Sequence, residues 1–295
     1  MRSKLAIATS ILMASSLLLL AWFLQVDDSV YTLETTWRSV EPKPRDLFTR
    51  RIPNVIWQTV KTHEVPRMAY RGGNSWTRLN PTYDRIVLDD LEVVEFVERY
   101  YNETEVELFK SMPVGVMKAD LFRYMVLYIH GGVYADADTR DHRAINQWIS
   151  PDCEFVVGVE GNGAFFCQWA FASGPRHPIL KRLVKKIFDK LANGLEFEFS
   201  SPHFVHRVTG PAIFTDAIRE SLGFSREDRP VDIIRSERGM ELRKEGICWL
   251  THVQLSFALS NMFAHQRPDF TQSGWSNWFE EAVEINEEAT RENPS

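Results

Sequence analysis

"MKADLFRYMVLYIHGGVYADADT", residues 117–139, decides the fold. Leu121, Tyr124, Met125 and Tyr128 stand at i, i+3, i+4 and i+7, which predicts a buried helix over 117–130. Gly131 and Gly132 end it as C-cap residues. "VYA" at 133–135 then reads as a short strand that delivers Asp136 and Asp138 onto the next turn. Outward from it, "NVIWQTV" (54–60), "RIVLDD" (85–90), "EFVVGVE" (154–160) and "VDIIRS" (231–236) read as strands. Helices are expected over Leu91–Tyr101, in "PILKRLVKKIFDKLANG" up to Gly194, and over Pro211–Ser221. This alternation predicts an α/β domain, and no internal repeat is visible.

The chain has 295 residues, 44% apolar and 12% aromatic, enough for one large core or a core with a small subdomain. Its formal net charge is −6. Lys181, Arg182, Lys185 and Lys186 form the only basic cluster, opposite an inward face of Leu180, Leu183, Val184, Ile187 and Leu191, and read as a solvated helix face. Nucleic acid is therefore excluded as an expected partner. Cys153, Cys167 and Cys248 allow at most one intrachain bridge and lack zinc-site spacing. Asn102-Glu103-Thr104 is the N-x-S/T sequon and makes Asn102 a candidate glycosylation site.

Leu5 to Val26 is an uncharged, largely apolar run of about one membrane crossing. Arg2 and Lys4 precede it while Asp27 and Asp28 follow it, so the positive-inside rule predicts a signal anchor with residues 1–4 cytosolic and the rest across the membrane. No small-x-small cleavage site follows Leu20, which favours the anchor over a cleaved signal peptide. Residues 27–51, with "EPKPRD", read as a stem or linker, 52–280 as the folded domain, and 281–295, rich in glutamate, as an acidic tail.

Asp136 and Asp138 fall at the carboxyl end of a strand, where ligands gather in α/β sheets. Two readings of the pair are open: a solvated turn, or half of a cation site. Hard oxygen ligands would suit magnesium, manganese or calcium, which often bridge protein carboxylates to substrate phosphates. An EF-hand loop fails, because Arg140, Asp141 and Gln147 occupy its fifth, sixth and twelfth positions. Asp120 and Arg123, at i and i+3, are either a structural ion pair or a pair for sugar hydroxyls and phosphate. Trp57 is either core or a platform for a nucleotide base.

"IPNVIWQT" (52–59), "MKADLFRYMVLYIHGGVYADADT", "FFCQWAFASGPRHPILKRL" (165–183) and "VTGPAIFTDAI" (208–218) together resemble the fungal initiation-specific α-1,6-mannosyltransferases. These are DXD-containing enzymes of glycosyltransferase family 32, similar also to the glucosylating domains of large clostridial toxins. The resemblance implies a GT-A fold over 52–280, manganese or another divalent cation, and GDP-mannose as donor. It implies Trp57 stacked on the base, Asp120 and Arg123 on the donor sugar, Asp136 near ribose and metal, and Asp138 as direct metal ligand. His265, in "FAHQRPDFTQSGW", is similar to the family's late histidine ligand, with a stretched spacing. Glu160 and Gln168 are candidate acceptor-side contacts. The function implied is retaining transfer of mannose to an N-glycan by a single-pass type II Golgi membrane protein with a luminal catalytic domain, in a transferase complex where one forms. Hexosyl transfer to a sphingolipid such as inositol phosphoceramide is the alternative within the enzyme class. An inactive sugar-binding or scaffold subunit is the alternative outside it.

Overall fold

The protein is described as a computed structural model over residues 29–34, 37–40, 51–194, 203–252, 254–255 and 259–261. The expected anchor 5–26, His265 and the tail 281–295 lie outside the described residues. No helix among the described residues is long and apolar enough to cross a membrane.

A mixed six-stranded sheet organises the domain, in the order β4-β2-β5-β8-β7-β9. Its strands are β2 (Val55–Thr59), β4 (Asp84–Leu88), β5 (Gly132–Ala135), β7 (Phe155–Val159), β8 (Phe166–Ser173) and β9 (Ile247–Leu250). β4, β2 and β5 run parallel, as do β7 and β9, while β8 is antiparallel to both its neighbours. The carboxyl ends of five strands and the amino end of β8 therefore share one edge. Two small antiparallel pairs flank the sheet: β1 (Val30–Thr32) with β3 (Glu64–Pro66), and β6 (Thr139–Asp141) with β10 (Leu259–Asn261).

Helices α1 (Arg67–Leu79), α2 (Asp90–Tyr100), α3 (Glu103–Lys110) and α4 (Gly115–His130) precede β5. After β8 come α5 (Pro178–Ala192), α6 (Phe204–Val208), α7 (Pro211–Leu222), α8 (Pro230–Ile233) and α9 (Glu237–Lys244). α2 starts on a capping box, in which Asp89 Oδ1 accepts from the Glu92 amide at 2.9 Å and Glu92 Oε2 accepts from the Asp89 amide at 3.1 Å. Asn102, the sequon residue, is exposed and caps α3, its Oδ1 accepting from the Glu105 amide at 3.0 Å.

α4 is the central helix, with 11 of its 16 residues buried. A Cβ on Gly132, at φ +108°, would lie 2.6 Å from the Val55 carbonyl, so only glycine lets the chain turn from α4 straight into β5. One apolar cluster fills the α4 side of the sheet with Phe96, Phe122, Tyr124, Phe171 and Phe214. A second, on the opposite face, joins Trp76, Val133, Ala135, Ile145, Ile149, Leu255 and Leu259.

Two expectations are corrected. Residues 231–236 are not a strand, because Pro230 at the first helical position begins the short helix α8. An apolar run this short is ambiguous in period, and the proline tips it. Residues 27–51 are also not a free linker throughout. β1 pairs with β3, Tyr31 stacks on Tyr70 at 4.4 Å between centroids, and Trp37 is buried against Phe96. Two aromatic side chains in an otherwise polar stretch find apolar surface on the domain.

Cys153 and Cys248 form a disulfide, with Cα atoms 5.8 Å apart, while Cys167 is buried and free. The bridge ties the approach to β7 to β9 across 95 residues of sequence. Its reduction should cost about 2–4 kcal/mol. Cys153→Ser with Cys248→Ser should lower the melting temperature by several degrees and abolish its sensitivity to reductant; an unchanged melting temperature would mean that the bridge constrains little.

Candidate active site at the carboxyl edge of the sheet

The chemistry-bearing residues converge where β5 ends. Arg123, on α4 and 4% exposed, reaches Asp120 Oδ1 and Asp136 Oδ1 with the same Nη2, both at 3.1 Å. Its Nη1 donates to the Gln168 carbonyl at 3.2 Å, and its guanidinium lies over the Tyr134 ring at 4.9 Å. Arg123 Nε is buried and finds no partner among the described residues. The i, i+3 spacing of Asp120 and Arg123 puts both on one face of α4. That face meets the strand end carrying Asp136.

Each carboxylate is held by neutral donors as well. Asp120 Oδ2 accepts from Thr209 Oγ1 at 3.0 Å and its Oδ1 from Gln168 Nε2 at 3.2 Å. The Tyr124 hydroxyl faces two acceptors, Gln168 Oε1 and the Thr209 carbonyl at 2.9 Å, which share its one proton and close a buried polar ring beneath the edge. Tyr134 Oη donates to Asp136 Oδ1 at 3.0 Å. Asp136 Oδ2 takes no bond from the described residues, and the side chain keeps 29% of its surface open.

Burial pushes Asp120 up to about 6, against the pull of Arg123, Thr209 and Gln168. Asp136 is raised too, chiefly by burial, with Arg123 and Tyr134 opposing. Burial disfavours the charge on Arg123, but Asp136, Tyr134 and Asp120 outweigh it and its pKa rises. The guanidinium is a fixed cation between two buried acids.

The turn after β5 is clamped on both sides. The Asp136 amide donates to the Trp169 carbonyl at 2.8 Å, and its carbonyl accepts from the Thr139 amide at 3.0 Å and Thr139 Oγ1 at 2.6 Å. Gln58 Nε2 reaches the same carbonyl at 3.3 Å. Asp138, half-buried, rides on this turn. Two carboxylates on a fixed turn, one with a bare oxygen, form a hard donor set that fits a divalent cation.

Trp57 is not part of this site. It is fully buried, its Nε1 donates to the Gly131 carbonyl at 2.9 Å, and its ring packs against His130. Strand alternation turns it to the helix-covered side of β2, so it holds the α4–β5 junction and offers no face to a base. Glu160 lies just beyond β7 on the same edge, and burial pushes its carboxyl up to about 7. Among the described residues it makes no hydrogen bond to the Asp120–Arg123–Asp136 group. Gln168 does join that group, as a buried partner of Asp120 and Tyr124. Tyr134, Tyr124 and Thr209 carry no signal of their own; only their places in the "YMVLYIHGGVYADAD" and "VTGP" blocks hint at them.

Among the described residues, His63, Asp89 and Glu92 also place ligand atoms within 4.8 Å of one another. Asp89 and Glu92 are already spent on capping α2, and Glu92 pairs with Arg38 at 3.3 Å. That trio is explained as a helix cap without an ion.

Residues 66–154 match the family described as glycosyltransferase sugar-binding region containing DXD motif. Asp120, Arg123, Asp136 and Asp138 all fall inside the match. The chain is 34% identical over 197 residues to an initiation-specific alpha-1,6-mannosyltransferase of Schizosaccharomyces pombe, covering 59% of this chain and 49% of the relative. It is 29% identical over 136 residues to inositol phosphoceramide mannosyltransferase 3 of the same organism, covering 46% of this chain and 37% of the relative. The chain thus spans half or less of the length of these curated relatives. Among solved structures, the PaToxG glycosyltransferase has a TM-score of 0.44 at 14% identity, over 66% of this chain and 74% of its own.

Proposed function

We propose that this chain is a GT-A glycosyltransferase that transfers mannose from GDP-mannose to an N-glycan with retention of configuration, aided by manganese or a similar ion. In this reading residues 5–26 anchor it as a type II Golgi membrane protein. The observation that carries the reading is the convergence of Arg123 on Asp120 and Asp136 beside Asp138, inside the family-matched region.

The chain's own residues divide the work. Asp138 and the open oxygen of Asp136 would hold the cation, which supplies Lewis-acid stabilisation of the leaving diphosphate. Arg123 fixes Asp120 and Asp136 in place and keeps a positive charge at the edge where negative charge gathers during bond cleavage. Asp120, locked by Arg123, Thr209 and Gln168, keeps one lone pair on Oδ2 for a hydroxyl of the donor sugar. Tyr134 steadies Asp136 from below. No side chain in this group stands as an obvious nucleophile, and front-side attack by the acceptor hydroxyl belongs to the proposal.

The test is the purified full chain incubated with manganese and a panel of nucleotide sugars. Turnover of GDP-mannose above all other donors is expected. Turnover confined to UDP-sugars would remove the mannosyl assignment, and no manganese-dependent turnover of any donor would remove the enzyme reading.

A further inference from the structure

A second group of charged side chains lies across β6 from the D-A-D turn. Arg71, Asn74, Thr77 and Arg78 of α1, with Arg140 of β6, line an open cleft of about 650 Å³, within the range of small-molecule sites. Arg71, Asn74 and Arg78 stand at i, i+3 and i+7 and share one helix face. Arg71, Arg78 and Arg140 are all exposed. None of the three has a carboxylate partner among the described residues, although the chain as a whole is acidic. α1 itself contains three arginines and no aspartate or glutamate. Elsewhere on the surface, Arg38, Lys185, Lys186 and Arg238 each sit against an acid.

The cleft is tied rigidly to the proposed active site. Trp76 Nε1 of α1 donates to Thr139 Oγ1 at 3.2 Å, and the same hydroxyl donates to the Asp136 carbonyl. Ser75 Oγ accepts from the Asp141 amide at 2.9 Å, and Asn80 Nδ2 donates to Asp141 Oδ2 at 2.7 Å. Along β6 the pattern is buried, exposed, buried, so Thr139 and Asp141 face inward while Arg140 faces the cleft. Arg140 is two residues from Asp138 in sequence but points away from the side of β6 that anchors the turn.

We propose that this cleft binds a phosphate ester on the acceptor, placing it beside the donor site. The inference rests on the glycosyltransferase reading above. In that reading the donor's diphosphate is served by the cation at Asp138, so three further guanidinium groups across the strand are available to a second anion. Guanidinium forks match phosphate oxygens two at a time, and three of them around one cleft suit a dianionic ester better than a neutral sugar. The acceptor class is then a sugar or cyclitol bearing a phosphate.

The experiment is calorimetric titration of the full chain with mannose 6-phosphate and with myo-inositol 1-phosphate, using mannose and inositol as neutral controls. At least one phosphate ester should bind more tightly than its neutral counterpart, and the tighter of the two distinguishes a phosphorylated glycan from an inositol phosphate headgroup. Combined Arg71→Gln, Arg78→Gln and Arg140→Gln should weaken that binding by about tenfold or more, with the affinity for GDP-mannose in manganese kept within about twofold and the melting temperature unchanged. Equal ester binding by wild type and variant would overturn the proposal and leave a solvated arginine face. A parallel loss of GDP-mannose affinity would also overturn it, by assigning the arginines to the donor. Asp138→Ala should keep ester binding; if the chain transfers no sugar yet loses ester binding only in the arginine variant, the enzyme reading fails while the cleft stands.

Discussion

Asp138→Ala is expected to abolish manganese-dependent turnover, by about a thousandfold or more, if the ion assists departure of the diphosphate. The same change should barely move the melting temperature of the metal-free protein. Asp138 is half-buried on a turn held by backbone and Thr139 contacts to Asp136. With those contacts left in place, the metal-free loss should stay below about 1 kcal/mol. A large loss of metal-free stability would instead make Asp138 a structural residue of the turn. Activity and melting curves on one preparation separate the two.

Arg123→Met carries the largest expected stability effect. Among the described residues the side chain is the one cation bonded to both Asp120 and Asp136, and its replacement leaves two acids, at 3% and 29% exposure, without that counter-charge. Breaking a buried pair in this way costs about 3–5 kcal/mol. The cost should depend on pH with a definite sign. Asp120 is already pushed up to about 6 in the folded protein, above its unfolded value, so the fold binds its proton more strongly than the unfolded chain and loses stability as pH rises through that range. Without Arg123 the folded-state pKa rises further. Denaturant unfolding should therefore show a smaller deficit at about pH 5 than at about pH 8. A deficit independent of pH would mean that packing, not charge, is what Arg123 supplies. Asp120→Asn in the Arg123→Met background should recover part of the loss, since the two residues are coupled.

Much of this was legible in the sequence. The stripe from Leu121 to Tyr128, closed by Gly131 and Gly132, located α4, β5 and the acidic turn, because helix period and glycine conformational freedom are local properties. The i, i+3 spacing of Asp120 and Arg123 put them on one face of that helix. Other features depend on contacts that no local pattern encodes. Trp57 is core because its strand lies between β4 and β5 beneath helices, a matter of sheet order. Thr209 and Gln168 reach Asp120 from 89 and 48 residues away. Residues 30–32 look like linker until β3 is present to pair with them. The arginines of α1 become a group with Arg140 only once the helix packs on β6.

The most direct measurement is manganese binding to the full chain, followed by electron paramagnetic resonance, with and without GDP-mannose. One bound ion per chain, tightened by the nucleotide sugar and lost in Asp138→Ala, is the predicted result. Binding that is indifferent to both GDP-mannose and Asp138 would contradict a cation bridging the acidic turn to the donor.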